Sequence, residues 1–123
     1  MRILLVDDSA MFRNLVRKFL SRNLLIKHEI QECTSGRNAL GVYKSFSPDW
    51  VLMDIKMDCS DGLVAARQIR ELDPEANIVM LTQYSERAYR EEADAVGVKG
   101  YVLKEYLGNI LPFLNSQAEA QPE

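Results

Sequence analysis

Four short aliphatic runs recur along the chain, Ile3–Val6, Trp50–Met53, Ile78–Leu81 and Tyr101–Leu103, and none alternates polar with apolar residues. Uninterrupted runs of this length fit strands covered on both faces, as in a parallel sheet packed between helices. A more polar fifth strand is expected over residues 28–34, at a sheet edge. Between the strands, apolar positions repeat with helical spacing: Phe12, Leu15, Val16, Phe19 and Leu20; then Ala39, Leu40, Tyr43 and Phe46; then Leu63, Ala66 and Ile69; then Tyr89, Ala93 and Val96. Ser9, Ser35, Asp61 and Ser85 stand where helices should begin, and Gly97 where one should end. Strand and helix therefore alternate along the chain. With right-handed crossovers this order predicts an α/β fold, a doubly wound five-stranded parallel sheet of strand order 2-1-3-4-5.

The last helical segment, EYLGNILPFL, contains Gly108 and Pro112, which predict a kink or an early end. The following NSQAEAQPE has no apolar anchor. One domain is thus expected over residues 1–114, with 115–123 a frayed polar tail or the start of a linker.

The 123 residues are 47% hydrophobic and carry a net charge of −3, which suits one globular domain and lacks the basic footprint of non-specific nucleic-acid binding. No apolar run approaches the roughly 20 residues needed to cross a bilayer. Cys33 and Cys59 form no metal-ligand spacing, and the N-terminus has no signal-peptide profile, so a cytoplasmic location with reduced thiols is expected. His28 reads as a solvated edge residue and is given no role.

In an open α/β sheet the site lies beyond the carboxyl ends of the strands. There the sequence places Asp7 and Asp8 after the first run, Asp54 after the second, Thr82 after the third and Lys104 after the fourth. Any one of these could be a solvated loop residue or a cap; all of them together point to chemistry. Clustered carboxylates repel unless relieved by protonation, by Lys104 or by a divalent cation. An all-oxygen donor set favours a hard ion, with Mg2+ the best fit because it takes few carboxylates and bridges to phosphate oxygens. A cation, a lysine and a hydroxyl beside a carboxylate suit phosphoryl transfer. Asp54, on the central strand, is then the candidate nucleophile, and Asp7 and Asp8 the candidate metal holders.

The segments LLVDDSAMFR, VLMDIKMDCSDG, IVMLT and GYVLK, each at a strand end and in this order, resemble the receiver domains of bacterial two-component response regulators. The resemblance spans nearly the whole chain. It implies the flavodoxin-like sheet order and a chain that is not an enzyme but a signalling phosphoacceptor, one that assists its own phosphorylation and dephosphorylation. It further implies a phosphoryl group accepted on Asp54 from a histidine kinase, and Mg2+ held by Asp8, Asp54 and the Lys56 backbone carbonyl, with Asp7 acting mainly through water. Lys104 would pair with the phosphoryl group. Thr82 and Tyr101 would form the switch pair, and the output surface would lie on the fourth helix, fifth strand and fifth helix, roughly residues 85–114. For Tyr106, Leu107, Ile110 and Leu111 core packing and partner binding are both open.

Three departures stand out: Asp58 replaces a common proline, Lys56 and Gln83 are bulkier than usual, and Glu105 follows Lys104 where proline, with its cis peptide, is frequent. Lys56 and Gln83 are expected to shield an acyl phosphate from water. GYVLKE is similar to nitrate-regulator-type transcription factors, LLVDDSAMFR to stand-alone chemotaxis-type receivers. Both a single-domain regulator and the receiver part of a helix-turn-helix factor are thus open, as are a monomer and a phosphorylation-dependent dimer. Among rivals, a haloacid-dehalogenase-type phosphatase needs aspartates two apart where Asp7 and Asp8 are adjacent, and a flavin module would not place carboxylates at its phosphate loop. A phosphorylation-independent interaction module on the same fold is the alternative that remains.

Overall fold

The computed structural model describes residues 1–58 and 60–120, with side chains described through residue 116. Cys59 and residues 121–123, on which part of the thiol and tail expectations fall, lie outside the described residues.

The sheet comprises β1 (Arg2–Val6), β2 (Glu29–Cys33), β3 (Trp50–Met53), β4 (Ile78–Thr82) and β5 (Gly100–Leu103). Every pairing is parallel and the order is β2-β1-β3-β4-β5. The helices are α1 (Ala10–Asn23), α2 (Gly36–Phe46), α3 (Gly62–Leu72), α4 (Arg87–Val96) and α5 (Leu111–Ala120). This is the expected doubly wound fold. Its central strands are buried along their whole length because both faces are covered.

Alternation along each strand divides the core in two. Leu4, Val6, Val51, Met53, Ile78 and Met80 pack with Ala39, Ala66, Ile69 and Ala93 beneath α2, α3 and α4. Ile3, Leu5, Leu52, Val79 and Leu81 face the other way, onto Val16 and Leu20 of α1 and onto Ile110 and Leu114 at the C-terminal end. Each fully buried aliphatic side chain contributes about 1.5–3 kcal/mol, so the two layers clamp the sheet from both faces.

Ser9 caps α1, accepting from the Phe12 N–H, and Asp61 caps α3, accepting from the Leu63 N–H. Gly97 ends α4 in the left-handed region, with φ 92°. The cap of α4 is Glu86, one residue later than the expected Ser85, and neither Glu86 nor Ser35 bonds the helix through its side chain.

At the C-terminal end the position of one expected feature is corrected. The chain makes a 3₁₀ segment over Lys104–Ile110 and only then enters α5, so Pro112 lies in the first turn, where its missing N–H breaks no bond. The expected interruption of this segment is present, but it sits at Tyr106, whose φ of −118° and ψ of 49° are non-helical, and not at Gly108 or Pro112. The helical backbone runs through Ala120, past Leu114, and the alanines and glutamine after Ser116 are good helix formers.

A short antiparallel hairpin, Lys56–Met57 with Ser60–Asp61, joins β3 to α3 and was not legible as a strand pair. It returns the chain against itself so closely that a Cβ on Gly62 would lie 1.8 Å from the Asp54 carbonyl oxygen, and the Gly62 N–H donates to the Ile55 carbonyl at 2.6 Å. By contrast a Cβ on Gly41, within α2, meets nothing within 4 Å. Gly41→Ala should therefore stabilise the protein by about 0.5–1 kcal/mol, and Gly62→Ala should destabilise it by about 1–3 kcal/mol. Urea unfolding midpoints check both signs.

Candidate functional site

Val6 and Met53 are register partners, so the residues after them, Asp7 and Asp54, leave the sheet side by side. Their main chains are pinned there: the Asp7 N–H donates to the Cys33 carbonyl and the Asp54 N–H to the Val6 carbonyl, both at 3.0 Å. Thr82 closes β4 opposite Leu103, which brings Lys104 to the same edge. The five residues expected from their strand ends thus share one rim. Asp7 and Asp54 are only 1% and 5% exposed and Thr82 is fully buried, while Asp8 is the open member of the acidic group. One carboxylate oxygen from each of Asp7, Asp8 and Asp54 lies within 4.8 Å of the others.

Lys104 joins the two buried carboxylates. Its Nζ is 2.9 Å from Asp7 Oδ2 and 3.0 Å from Asp54 Oδ2, and it lies over the Phe12 ring, 4.3 Å from the centroid. Backbone donors hold the other oxygens: Ser9 N–H to Asp7 Oδ1 at 2.8 Å, Ile55 N–H to Asp54 Oδ1 at 2.8 Å, and Asp58 N–H to Asp8 Oδ2 at 2.9 Å. The last bond gives physical content to one departure, since a proline at position 58 would have no N–H to offer.

Burial pushes the Asp54 carboxyl above its ordinary range; Lys104 and the Thr82 hydroxyl oppose this, the negative Asp7 adds to it, and the net shift is upward. Burial alone would lower the Lys104 ammonium, but its bonds and charge attraction to Asp7 and Asp54 outweigh that and raise it.

Above these groups is an open cleft of about 540 Å³, with Asp8, Phe12, Lys56, Gln83 and Tyr84 among its walls. The Lys56 ammonium lies over the Tyr84 and Tyr89 rings, 5.1 and 5.2 Å from their centroids, and so ties the loop after Asp54 to the start of α4. The Tyr101 hydroxyl donates to the Tyr84 carbonyl at 2.5 Å, and Arg90 covers its ring at 4.7 Å. Burial pushes that hydroxyl up to about 12, with Arg90 opposing. Tyr101 is therefore connected to the segment two residues beyond Thr82. His28 is bonded locally to the Ile26 carbonyl, just ahead of β2 and away from the cleft.

Several contributors escaped the strand-end reading. Phe12 beneath Lys104, the Ser9 and Asp58 main-chain donors and Gly62 become visible only when distant segments meet. The Asp-Gly pair at 61–62 was the one local signal. The four residues whose core or surface placement was open divide: Leu107 and Ile110 are buried, Leu111 packs against the core, and Tyr106 is 58% exposed.

Since Asp54 binds its proton more readily folded than unfolded, it favours the folded state below its unfolded value of 3.8, and this contribution is lost as pH rises through its higher folded value. Asp54→Asn should therefore be more stable than the parent at neutral pH, with an advantage that shrinks on acidification toward about pH 4. Urea midpoints at the two pH values test this; an advantage growing on acidification contradicts it.

The family model described as "Response regulator receiver domain" matches residues 3–111. Chemotaxis protein CheY of Halobacterium salinarum is 37% identical over 105 residues, covering 85% of each chain. Among solved structures, a LuxR-family two-component response regulator from Aurantimonas sp. superposes with TM-score 0.86 at 27% identity, covering 98% of this chain and 86% of that one. The signal receiver domain of the putative response regulator NarL from Mycobacterium tuberculosis gives TM-score 0.83 at 26% identity, covering 98% and 97%. Both resemblances read from the sequence, chemotaxis-type and nitrate-regulator-type, are represented.

Proposed function

The chain belongs to the response regulator receiver family, which acts in two-component phosphorelays, and we propose that Asp54 is the residue on which it accepts a phosphoryl group from a histidine kinase. The observation that carries this assignment is the position of Asp54: buried, bonded through Oδ2 to Lys104, and opening onto the cleft beside Asp7 and Asp8.

Three carboxylates with oxygens this close fit a hard divalent cation, and the donor set contains no sulfur or imidazole that would favour a softer one. Asp8 and Asp54 would hold Mg2+ directly, together with the Lys56 carbonyl, and Asp7 mainly through water. When bound, the ion supplies positive charge for the phosphoryl oxygens. In the transfer itself an Asp54 carboxylate oxygen forms a bond to phosphorus as the phosphohistidine N–P bond breaks, and the electron pair of that bond returns to the imidazole nitrogen. Lys104, a half-buried ammonium, leaves Asp54 Oδ2 for a phosphoryl oxygen, and the Thr82 hydroxyl donates to another. The chain is consumed and regenerated as a signalling phosphoacceptor and is not a turnover enzyme on a small molecule.

Thr82 and Tyr101 form the switch pair of this proposal. Movement of Thr82 toward the phosphoryl group draws on the β4–α4 loop, to which the Tyr101 hydroxyl is bonded, and biases the surface of α4, β5 and α5 where an output partner or domain would dock. A helix-turn-helix output is one such partner. The receiver unit is assigned to residues 1–114, because Leu114 is the last fully buried side chain among the described residues. The phosphorylation-independent interaction module is disfavoured by the complete set of reacting groups around one cleft.

Incubation with Mg2+ and a small phosphodonor should add one phosphoryl group by intact mass, mapped to the peptide containing Asp54. Chelation of the metal or Asp54→Asn should abolish the modification, and Lys104→Met should slow it roughly 100-fold. Modification that survives Asp54→Asn refutes the acceptor assignment. Gln83→Ala should hasten loss of the phosphoryl group, and an unchanged hydrolysis rate removes that residue from the shielding role.

A further inference from the structure

The turn carrying Asp7 and Asp8 is held from outside the cleft by a charged network that the transfer chemistry does not use. Arg13 on α1 donates from Nη1 to the Asp7 carbonyl oxygen at 2.7 Å and from Nε to Glu32 Oε1 at 2.7 Å. Glu32, on β2, is fixed in turn by Arg17, whose Nε is 3.1 Å from Oε2. The Arg13 side chain is 14% exposed, far less than the 49% of Arg17, so its guanidinium is a shielded strut and not a mobile surface charge.

With this strut every polar atom of Asp7 is engaged: N–H by Cys33, carbonyl by Arg13, Oδ1 by Ser9 and Oδ2 by Lys104. The Asp7 carbonyl belongs to the peptide group that leads into Asp8. Arg13 therefore fixes the plane joining two of the three clustered carboxylates and, through it, the direction in which Asp8 projects.

We propose that Arg13, oriented by Glu32, is a positioning residue that sets the spacing of Asp7 and Asp8 for divalent-cation binding; this rests on the reading of the acidic cluster as a cation site. Positioning and charge make opposite predictions. A guanidinium near the cluster repels a cation, so removing it tightens binding if charge is its only influence. Loss of the strut loosens the ligands and weakens binding. Arg17 has the same charge and the same Glu32 partner but no recorded bond to Asp7, which makes it the matched control.

The experiment is calorimetric titration of Mg2+ into the full chain and into Arg13→Ala, Arg13→Lys and Arg17→Ala, with folding verified by circular dichroism. Arg13→Ala should bind Mg2+ roughly tenfold or more weakly than the parent, while Arg17→Ala should bind equally or slightly more tightly. Arg13→Lys retains the charge but cannot span both acceptors, so it should fall between parent and Arg13→Ala, and it decides the matter if the alanine variant does not fold. Equal or tighter binding by folded Arg13 variants overturns the proposal, as does equal weakening in Arg17→Ala. Absence of Mg2+ binding by the parent overturns the cation reading and this inference with it, a result distinct from a parent that binds and variants that bind alike.

Discussion

Two aspartates lie almost without solvent at the ends of adjacent strands, and the Lys104 ammonium stands within 3.0 Å of both. Burial makes each negative charge costly, and proximity makes the pair costlier. The ammonium and two main-chain N–H groups, Ser9 on Asp7 and Ile55 on Asp54, offset that cost. The offset is incomplete for Asp54, whose carboxyl remains raised. On the proposed acceptor reading, added positive charge or conversion of the carboxylate into a mixed anhydride changes the balance that Lys104 maintains.

That local imbalance is connected to the rest of the molecule by short paths. Thr82 ends β4 and contacts the loop containing Tyr84, with the Tyr84 N–H 3.4 Å from its hydroxyl. Tyr84 in turn accepts from Tyr101 and lies beneath the Lys56 ammonium, and Arg90 of α4 covers the Tyr101 ring. A charge change at Asp54 thus has neighbours in both loops flanking the cleft and in the first turns of α4. The two buried core layers, by contrast, give the sheet no room to deform. The loops and the α4–β5 face are where the proposed switch has room to act.

Much of this was legible in the residue order. Whole-length burial of β3 and β4 follows from aliphatic runs with no polar interruption, and crossover handedness then leaves few strand orders. Asp7, Asp54, Thr82 and Lys104 were identifiable because each directly follows such a run. The helix ends were less legible. Glu86 caps α4 in place of Ser85, and the C-terminal segment is interrupted at Tyr106 within a 3₁₀ stretch while Pro112 lies in the first turn of α5. Local propensity does not report where one helical register stops and the next begins.

By itself the sequence determined which residue types arrive at the carboxyl edge of the sheet, since strand length and strand parity are local properties of the chain. Tertiary structure alone decided how those residues meet: Lys104 between Asp7 and Asp54, the Asp58 N–H on Asp8, Phe12 under the ammonium, and Arg13 bridging Glu32 to the Asp7 carbonyl. These contacts join positions from 6 to 97 residues apart along the 123-residue chain, and hydrogen bonding and ion pairing depend on separations of a few tenths of an ångström that no pattern of residue types encodes.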